Sequence, residues 1–314
     1  MNTSDMKITV MGLGGIGGLL SGPLLRHFGG QVSLIARGPR AVQLREKGLV
    51  LHSDVYGEFT VRPRCVTDDP SQLPVQDVVL VCVKNNGLEQ AARQLKPIVG
   101  PDTLVLPVAN GVSAGSNLRR WLGCGHVLDS VIYTVASVEP DFSIRQKGNF
   151  TTLYMGAVRN EDQTGAAVLC DVLKEADIDC RLVPDVPVAI WKKYVLNCAS
   201  NVITARWGVN IGQVKADPKL AQDYYTLMEE AWHVGRAHGV DLPDNLLEKH
   251  MTRLANTTND STSSLSRDFD AGRIGEMEVF SGELIRMAEE KGVDVPLTRE
   301  YYRGLQERAA AFGK

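Results

Sequence analysis

The six residues Gly12-Leu13-Gly14-Gly15-Ile16-Gly17 constrain this chain more than any other stretch. They follow an apolar run, residues 8–11, of the kind a buried parallel strand shows. They open an uncharged segment that reads as helix, and residues 31–36 read as the next strand. In the G-x-G-x-x-G spacing Gly12 permits a tight turn, Gly14 lets a pyrophosphate approach the backbone, and Gly17 lets the helix pack on the strand. The unpaired N–H groups of that helix start favour a phosphate. A glycine turn without a ligand is the simpler alternative. The strand before and the helix after supply the context a dinucleotide site needs, so all six residues are expected to hold the cofactor.

The same segment raises a second question, because residues 8–25 carry no charge. They contain six glycines and Pro23, and Lys7 alone precedes them as a cation. A membrane helix needs about 20 strongly apolar residues, and a leader needs a cationic start. Neither pattern fits, and a soluble, cytoplasmic protein is expected. The net charge of −3 gives no basic field for nucleic acid or an anionic membrane. Six scattered cysteines without a C-x-x-C pair read as reduced, mostly buried thiols. The six histidines show no ligand spacing, so no metal is expected. At 314 residues two domains are expected.

Arg37 stands at the end of the second strand, 20 positions past Gly17. An NAD site usually places an acid there for the ribose hydroxyls. An arginine suits a 2′-phosphate and lies flat on adenine, which favours NADP. Short strands are expected over 49–52 and 58–62, a buried strand over 76–83 ending at Lys84, and another over 103–108 ending before Asn110. Lys84 and Asn110 thus sit at carboxyl ends of strands, where open α/β sheets bind ligands. Asn-Gly is also a turn dipeptide in its own right. Helices are expected over 88–95, 113–122 and 164–176, with strands over 126–139, 142–156 and 178–182, the last closing the sheet. Beyond Pro184 and Pro187 only helical patterns remain, over about 188–205, 217–238, 244–256, 262–271, 274–291 and 297–312. The fold class is α/β: a Rossmann-type nucleotide-binding domain over 1–185, followed by an all-helical domain over 186–314.

The helix around residues 191–208 has an unusual face. Lys193, Asn197 and Asn201 fall at i, i+4 and i+8 and share it with Ser200 and Thr204. A solvent face normally carries several Glu, Lys and Arg. Amides, hydroxyls and one lysine suit an enclosed polar wall, in which a desolvated lysine can donate a proton. A helix–helix contact with buried amides is the competing reading. Further on, Ser264 lies among serines able to cap a helix, and Glu276 shares i, i+3, i+4, i+7 spacing with Val279, Phe280 and Glu283.

In this order the motifs resemble the ketopantoate reductase (2-dehydropantoate 2-reductase) family over essentially the full length. The carrying residues are KITVMGLGGIGG, Arg37, VCVK ending at Lys84, ANG at Asn110, WKKYVLNCASN, SSLSRDFDAGRIGEMEVFSG and KGVDVP. The resemblance implies an NADP-dependent oxidoreductase of pantothenate biosynthesis that reduces the 2-oxo acid ketopantoate with NADPH. It makes Lys193 the general acid and Glu276 its partner or a hydrogen-bond acceptor for the substrate hydroxyl. Asn110 and Lys84 support the nicotinamide end, and Asn110 also touches substrate. Asn197, Asn201 and Ser264 bind the substrate's hydroxyl and carboxylate groups, and a homodimer through the helical domain is implied. Three positions depart from the family pattern: Val202 follows Asn201 where proline is usual, Ile211 stands where an amide is expected, and Ser261 replaces an asparagine. All three lie on the substrate side. A reductase of another small oxo acid, one that joins an amine to such an acid, and a non-catalytic NADP sensor are the alternatives.

Overall fold

Residues buried on both faces of a strand must be apolar or internally satisfied, and β1 (Ile8–Met11) meets both conditions. Its one polar side chain, Thr9, donates to Gln76 Oε1 at 2.8 Å. The computed structural model describes residues 5–312. Its contacts separate two units, the first ending at Val186 and the second beginning at Pro187.

In the first unit β1 is followed by α1 (Gly15–Phe28), β2 (Val32–Ile35), α2 (Gly38–Lys47), β3 (Leu49–Ser53), β4 (Gly57–Val61) and β5 (Cys65–Thr67). Then come β6 (Gln76–Val81), α3 (Leu88–Leu95), β7 (Val99–Pro107), α4 (Ala114–Leu122), β8 (His126–Val127), β9 (Asp129–Val138), β10 (Ile144–Gly156), α5 (Gln163–Glu175) and β11 (Asp179–Leu182). Six strands form one sheet in the order β5-β2-β1-β6-β7-β8. Every pairing in it is parallel. The chain leaves β1 toward β2 and later returns on the other side of β1 as β6. That reversal is a topological switch point, where sheets of this kind bind ligands. Met11 is level with Ile35 and Val81, and Val81 with Pro107, so the turns after β1, β2, β6 and β7 leave the sheet along one edge.

The remaining strands form a second sheet, β11-β10-β3-β4 with β9 antiparallel along β10. The expectation that residues 178–182 close the nucleotide sheet is therefore corrected: β11 pairs with β10 in the other sheet. Helix α1 packs against both sheets. A Cβ on Gly18 would stand 2.4 Å from Ile144 Cδ1, and one on Gly22 would stand 3.0 Å from Leu51 Cδ2. The uncharged, glycine-rich run is the sequence of a helix sandwiched between sheets. Among the described residues no helix is long and apolar enough to cross a membrane.

The second unit is helical: α6 (Val186–Trp207, its first residue in the first unit), α7 (Ile211–Ala216), α8 (Pro218–Ala237), α9 (Leu246–Asn256), α10 (Ser264–Asp270), α11 (Glu283–Lys291) and α12 (Pro296–Ala309). Glu278–Gly282 forms a π turn running directly into α11, so the single helix expected over 274–291 has one turn of wider bonding. Three short elements escaped the sequence reading. Helix α2 begins at the Gly38-Pro39 pair, which suits a first turn as well as a loop. Helix α7 rests on a capping box between Asn210 and Gln213, and β5 has only three residues. Of the cysteines, 170, 180 and 198 are buried, 65 and 82 half-buried and 124 exposed, so burial holds for half of them. All six are free thiols.

Candidate active site

The glycine turn has the geometry its spacing predicts. Gly12 adopts φ +95°, and a Cβ there would meet Cys82 C and Val83 N of the chain after β6 at 2.7 Å. A Cβ on Gly17 would stand 1.9 Å from Gly12 O, so α1 starts against the turn only because the side chain is missing. Beside Gly14 the space is open to 4 Å. Gly14 caps α1 without a side-chain hydrogen bond, and the first turn carries no acid. Leu13 is buried and Ile16 half-buried, so these two pack the turn while Gly14 exposes its backbone. A Cβ on Gly15 would meet Ala136 O at 2.6 Å, which brings β9 alongside the helix start. This turn fits a pyrophosphate: close contact below, open space and unpaired N–H groups above.

Arg37 is exposed just beyond β2, where it caps α2 and its guanidinium bonds Gln94 Oε1 of α3. Lys84 is exposed beyond β6, and Asn110 is half-buried beyond β7. Asn85, which no motif singles out, ties these two loops together, its Nδ2 donating to Asn110 O at 2.8 Å. The first unit thus gathers the glycine turn, Arg37, Lys84 and Asn110 along the carboxyl edge of one sheet.

In the second unit, Lys193 is half-buried on α6. Its ammonium is pushed down to about 8, first by burial and then, against the opposing pull of Glu276, by the charge of Arg253. Glu276 precedes the π turn, where its carbonyl accepts N–H from Val279 at 3.0 Å and Phe280 at 3.3 Å. Gly275 before it takes φ +60°, with Asp268 Oδ2 at 2.8 Å from a built Cβ. Helix α9 meets α6 where His250 Nε2 lies 2.8 Å from Lys192 O. A carbonyl only accepts, so Nε2 carries the proton. Burial and then Arg253 lower the His250 pKa, against that hydrogen bond, so this ring stays neutral. Glu276 and Arg253 both act on Lys193 within one unit, which positions so far apart in the sequence do not reveal. Among the described residues no cluster of side chains suits a metal ion.

The amide face of α6 divides. Asn197 is half-buried. Asn201 is buried, and its Oδ1 accepts Leu265 N–H at 3.2 Å and the Ser264 hydroxyl at 3.1 Å, at the start of α10. The helix–helix reading therefore holds for its carbonyl, and its amide donors are what it has for a ligand. Ser264 is exposed and anchored to α6 by that bond. Of the departures, Val202 is fully buried and Ile211 is buried in α7. Asn210, one position away, spends its Oδ1 on capping α7, where it accepts Gln213 N–H at 2.9 Å. Ser261 Oγ pairs with Thr258 Oγ1 at 2.6 Å.

Two family models account for most of this architecture. "Ketopantoate reductase PanE/ApbA" matches residues 8–160, and "Ketopantoate reductase PanE/ApbA C terminal" matches residues 185–309. The chain belongs to the ketopantoate reductase family. It is 27% identical over 293 residues to a 2-dehydropantoate 2-reductase of Archaeoglobus fulgidus, covering 93% of this chain and 94% of that one. The crystal structure of a PanE/ApbA family ketopantoate reductase from Ralstonia eutropha matches with a TM-score of 0.89 at 29% identity, over 98% of this chain and 100% of that one. A D-mandelate dehydrogenase, solved with NADH and anilino(oxo)acetate, shares the fold with a TM-score of 0.88 at 18% identity, over 98% and 100% of the two chains. Family membership makes this chain an oxidoreductase with a Rossmann-type fold and a pyridine-nucleotide cofactor.

Proposed function

We propose that this chain reduces 2-dehydropantoate (ketopantoate) to pantoate with NADPH. In this reading the first unit holds the dinucleotide and the second binds the oxo acid. The six residues of the glycine turn take the pyrophosphate, and Arg37 takes the 2′-phosphate. Lys84 and Asn110 hold the nicotinamide end. NADPH supplies the hydride to C2 of the ketone.

The observation that carries the proposal is the half-buried Lys193 with Glu276 at hand. A ketone accepting hydride accumulates negative charge on oxygen, and a lysine ammonium at that oxygen stabilises the charge and then protonates it. A value of about 8 leaves Lys193 mostly protonated at neutral pH and a better acid than an exposed lysine. Glu276 keeps the ammonium charged enough to act, or accepts from the substrate hydroxyl. Asn197, the amide donors of Asn201 and the Ser264 hydroxyl bind the carboxylate and hydroxyl groups. The reading carries with it a cytoplasmic enzyme that dimerises through its helical unit.

A second reading, reduction of another small 2-oxo acid, is favoured by one observation. Ile211 is apolar, and Asn210 and Ser261 are occupied by bonds within their own segments. A panel of 2-oxo acids followed by NADPH absorbance tests both readings. Turnover of ketopantoate above the others supports the first. Turnover of other acids alone overturns it for the second, and no turnover of any acid overturns both.

A further inference from the structure

The π turn beside Glu276 has a consequence for Lys193. In an α-helix each carbonyl accepts from the N–H four residues on; in a π turn it accepts from five. Returning from the wider to the narrower pattern passes over one carbonyl. Here the N–H of Glu283, the first residue of α11, donates to Glu278 O, five residues back. The next carbonyl in line is that of Val279, which is buried. A buried carbonyl without a donor is costly, so something must serve it. The Tyr194 hydroxyl does, at 2.6 Å.

Tyr194 follows Lys193 on α6, is almost fully buried, and lies edge-on to Trp191 at 5.3 Å between centroids. Its hydroxyl also meets the Cys198 thiol one turn on. Since the hydroxyl gives its one proton to Val279 O, the thiol is the donor to it. Burial holds Tyr194 far above its ordinary value, so it remains a neutral donor at every working pH. Ser281, buried in the same π turn, makes no hydrogen bond, so it does not serve that carbonyl. The extra residue of a π turn rotates everything before it by about 100° relative to the helix that follows. Glu276 lies just ahead of the turn, separated from it by Met277, and its carbonyl accepts Phe280 N–H inside it at 3.3 Å, so the direction it faces depends on the turn persisting.

We propose that Tyr194 is a positioning residue for the pair Lys193 and Glu276: by bonding the carbonyl that the π turn passes over, it fixes the register from which Glu276 faces Lys193. This rests on the reading of Lys193 as the proton donor. The charged and titratable groups around the pair are Glu276 and Arg253 at Lys193, His250 on α9 beside Lys192, and Cys198, Glu283 and Arg286 at Tyr194. Glu276 raises the Lys193 pKa, so loss of its alignment lowers it.

The test is the titration of Lys193 itself, read by NMR of the full chain labelled with carbon-13 at lysine Cε. Wild type is expected to titrate near 8. Tyr194→Phe keeps the ring and removes the hydroxyl. It is expected to lower the midpoint by at least about half a pH unit, in the same direction as Glu276→Gln. In the double variant the Tyr194→Phe change adds nothing to the effect of Glu276→Gln. A wild-type midpoint in Tyr194→Phe, or an equal further drop when Tyr194→Phe is added to Glu276→Gln, overturns the proposal. 4-Aminophenylalanine at 194 restores an N–H donor and should restore the midpoint. If Tyr194→Phe does not fold, this variant must fold and titrate as wild type, and any other result overturns the proposal. Because the titration needs no turnover, failure of every 2-oxo acid to react would sink the functional reading and leave this result to be judged separately.

Discussion

Replacing Glu230 should strongly destabilise the helical unit. Glu230 lies buried in α8, and its carboxylate receives the start of α12. Oε1 accepts Leu297 N–H at 2.8 Å, and Oε2 accepts Thr298 N–H at 2.8 Å and the Thr298 hydroxyl at 2.6 Å. Helix α12 starts at Pro296, and its own N-cap residue, Val295, has no side chain that can accept. The acceptor for its first donors therefore comes from another helix. Glu230→Ala leaves two N–H groups and a hydroxyl without it. Each unmet buried donor costs about 1–3 kcal/mol, and partial access of water to Leu297 brings the sum to about 3–5 kcal/mol. Glu230→Gln keeps one oxygen and should cost roughly half of that. Three of the four tryptophans, 191, 207 and 232, lie in the second unit, so their fluorescence follows its unfolding in urea. With a slope of about 2 kcal/mol per molar, the alanine variant should lose roughly 1.5–2.5 M in midpoint. A loss under about 0.3 M would refute the long-range cap.

Three further outcomes are expected. Asp162 is fully buried and accepts from Arg159 Nε at 2.8 Å and His126 Nδ1 at 2.6 Å. Burial pushes its carboxyl up, but Arg159 and His126 outweigh it and hold the pKa below the usual carboxylate range. The folded value lies below the unfolded one, so this stabilisation is present at neutral pH and is lost as pH falls through the carboxylate range. Asp162→Asn should cost about 3 kcal/mol at neutral pH and much less in acid, as urea midpoints at the two pH values will show. Gly12→Ala places a Cβ at 2.7 Å from Cys82 C at φ +95°, and should cost about 2 kcal/mol or more by thermal melting. Arg37→Ala should weaken NADPH about 10- to 100-fold by fluorescence titration while changing NADH less than about threefold; equal losses would undo the NADP assignment.

Much of the first unit was legible because its elements are set by local rules. The glycine spacing fixed the turn, the apolar runs fixed β1, β6 and β7, and strand order put Arg37, Lys84 and Asn110 at carboxyl ends. The split into two sheets was not legible, because β3, β9, β10 and β11 alternate as any half-buried strand does. Their partners are chosen by how closely the glycines of α1 let a second sheet approach. In the helical unit the shared face of Lys193, Asn197 and Asn201 followed from period alone. What surrounds it did not. Arg253 and His250 arrive from α9, and the double acceptance by Asn201 depends on where α10 starts. The π turn also defeats a period-based reading across it, since one added residue rotates Glu283 away from the spacing it shows with Glu276.

The central claim is that Lys193 protonates the carbonyl oxygen of a 2-oxo acid while NADPH reduces its carbon. The most direct measurement is kcat against pH for wild type and Lys193→Ala, with NADPH binding measured in parallel. On this account the acid form is the active one and should titrate near 8, so wild-type kcat should be level below that pH and fall about tenfold per unit above it. Lys193→Ala should lose at least about 100-fold in kcat, lose the alkaline fall, and bind NADPH as before. A Lys193→Ala protein that keeps wild-type kcat, or one that keeps the alkaline fall, would contradict the account.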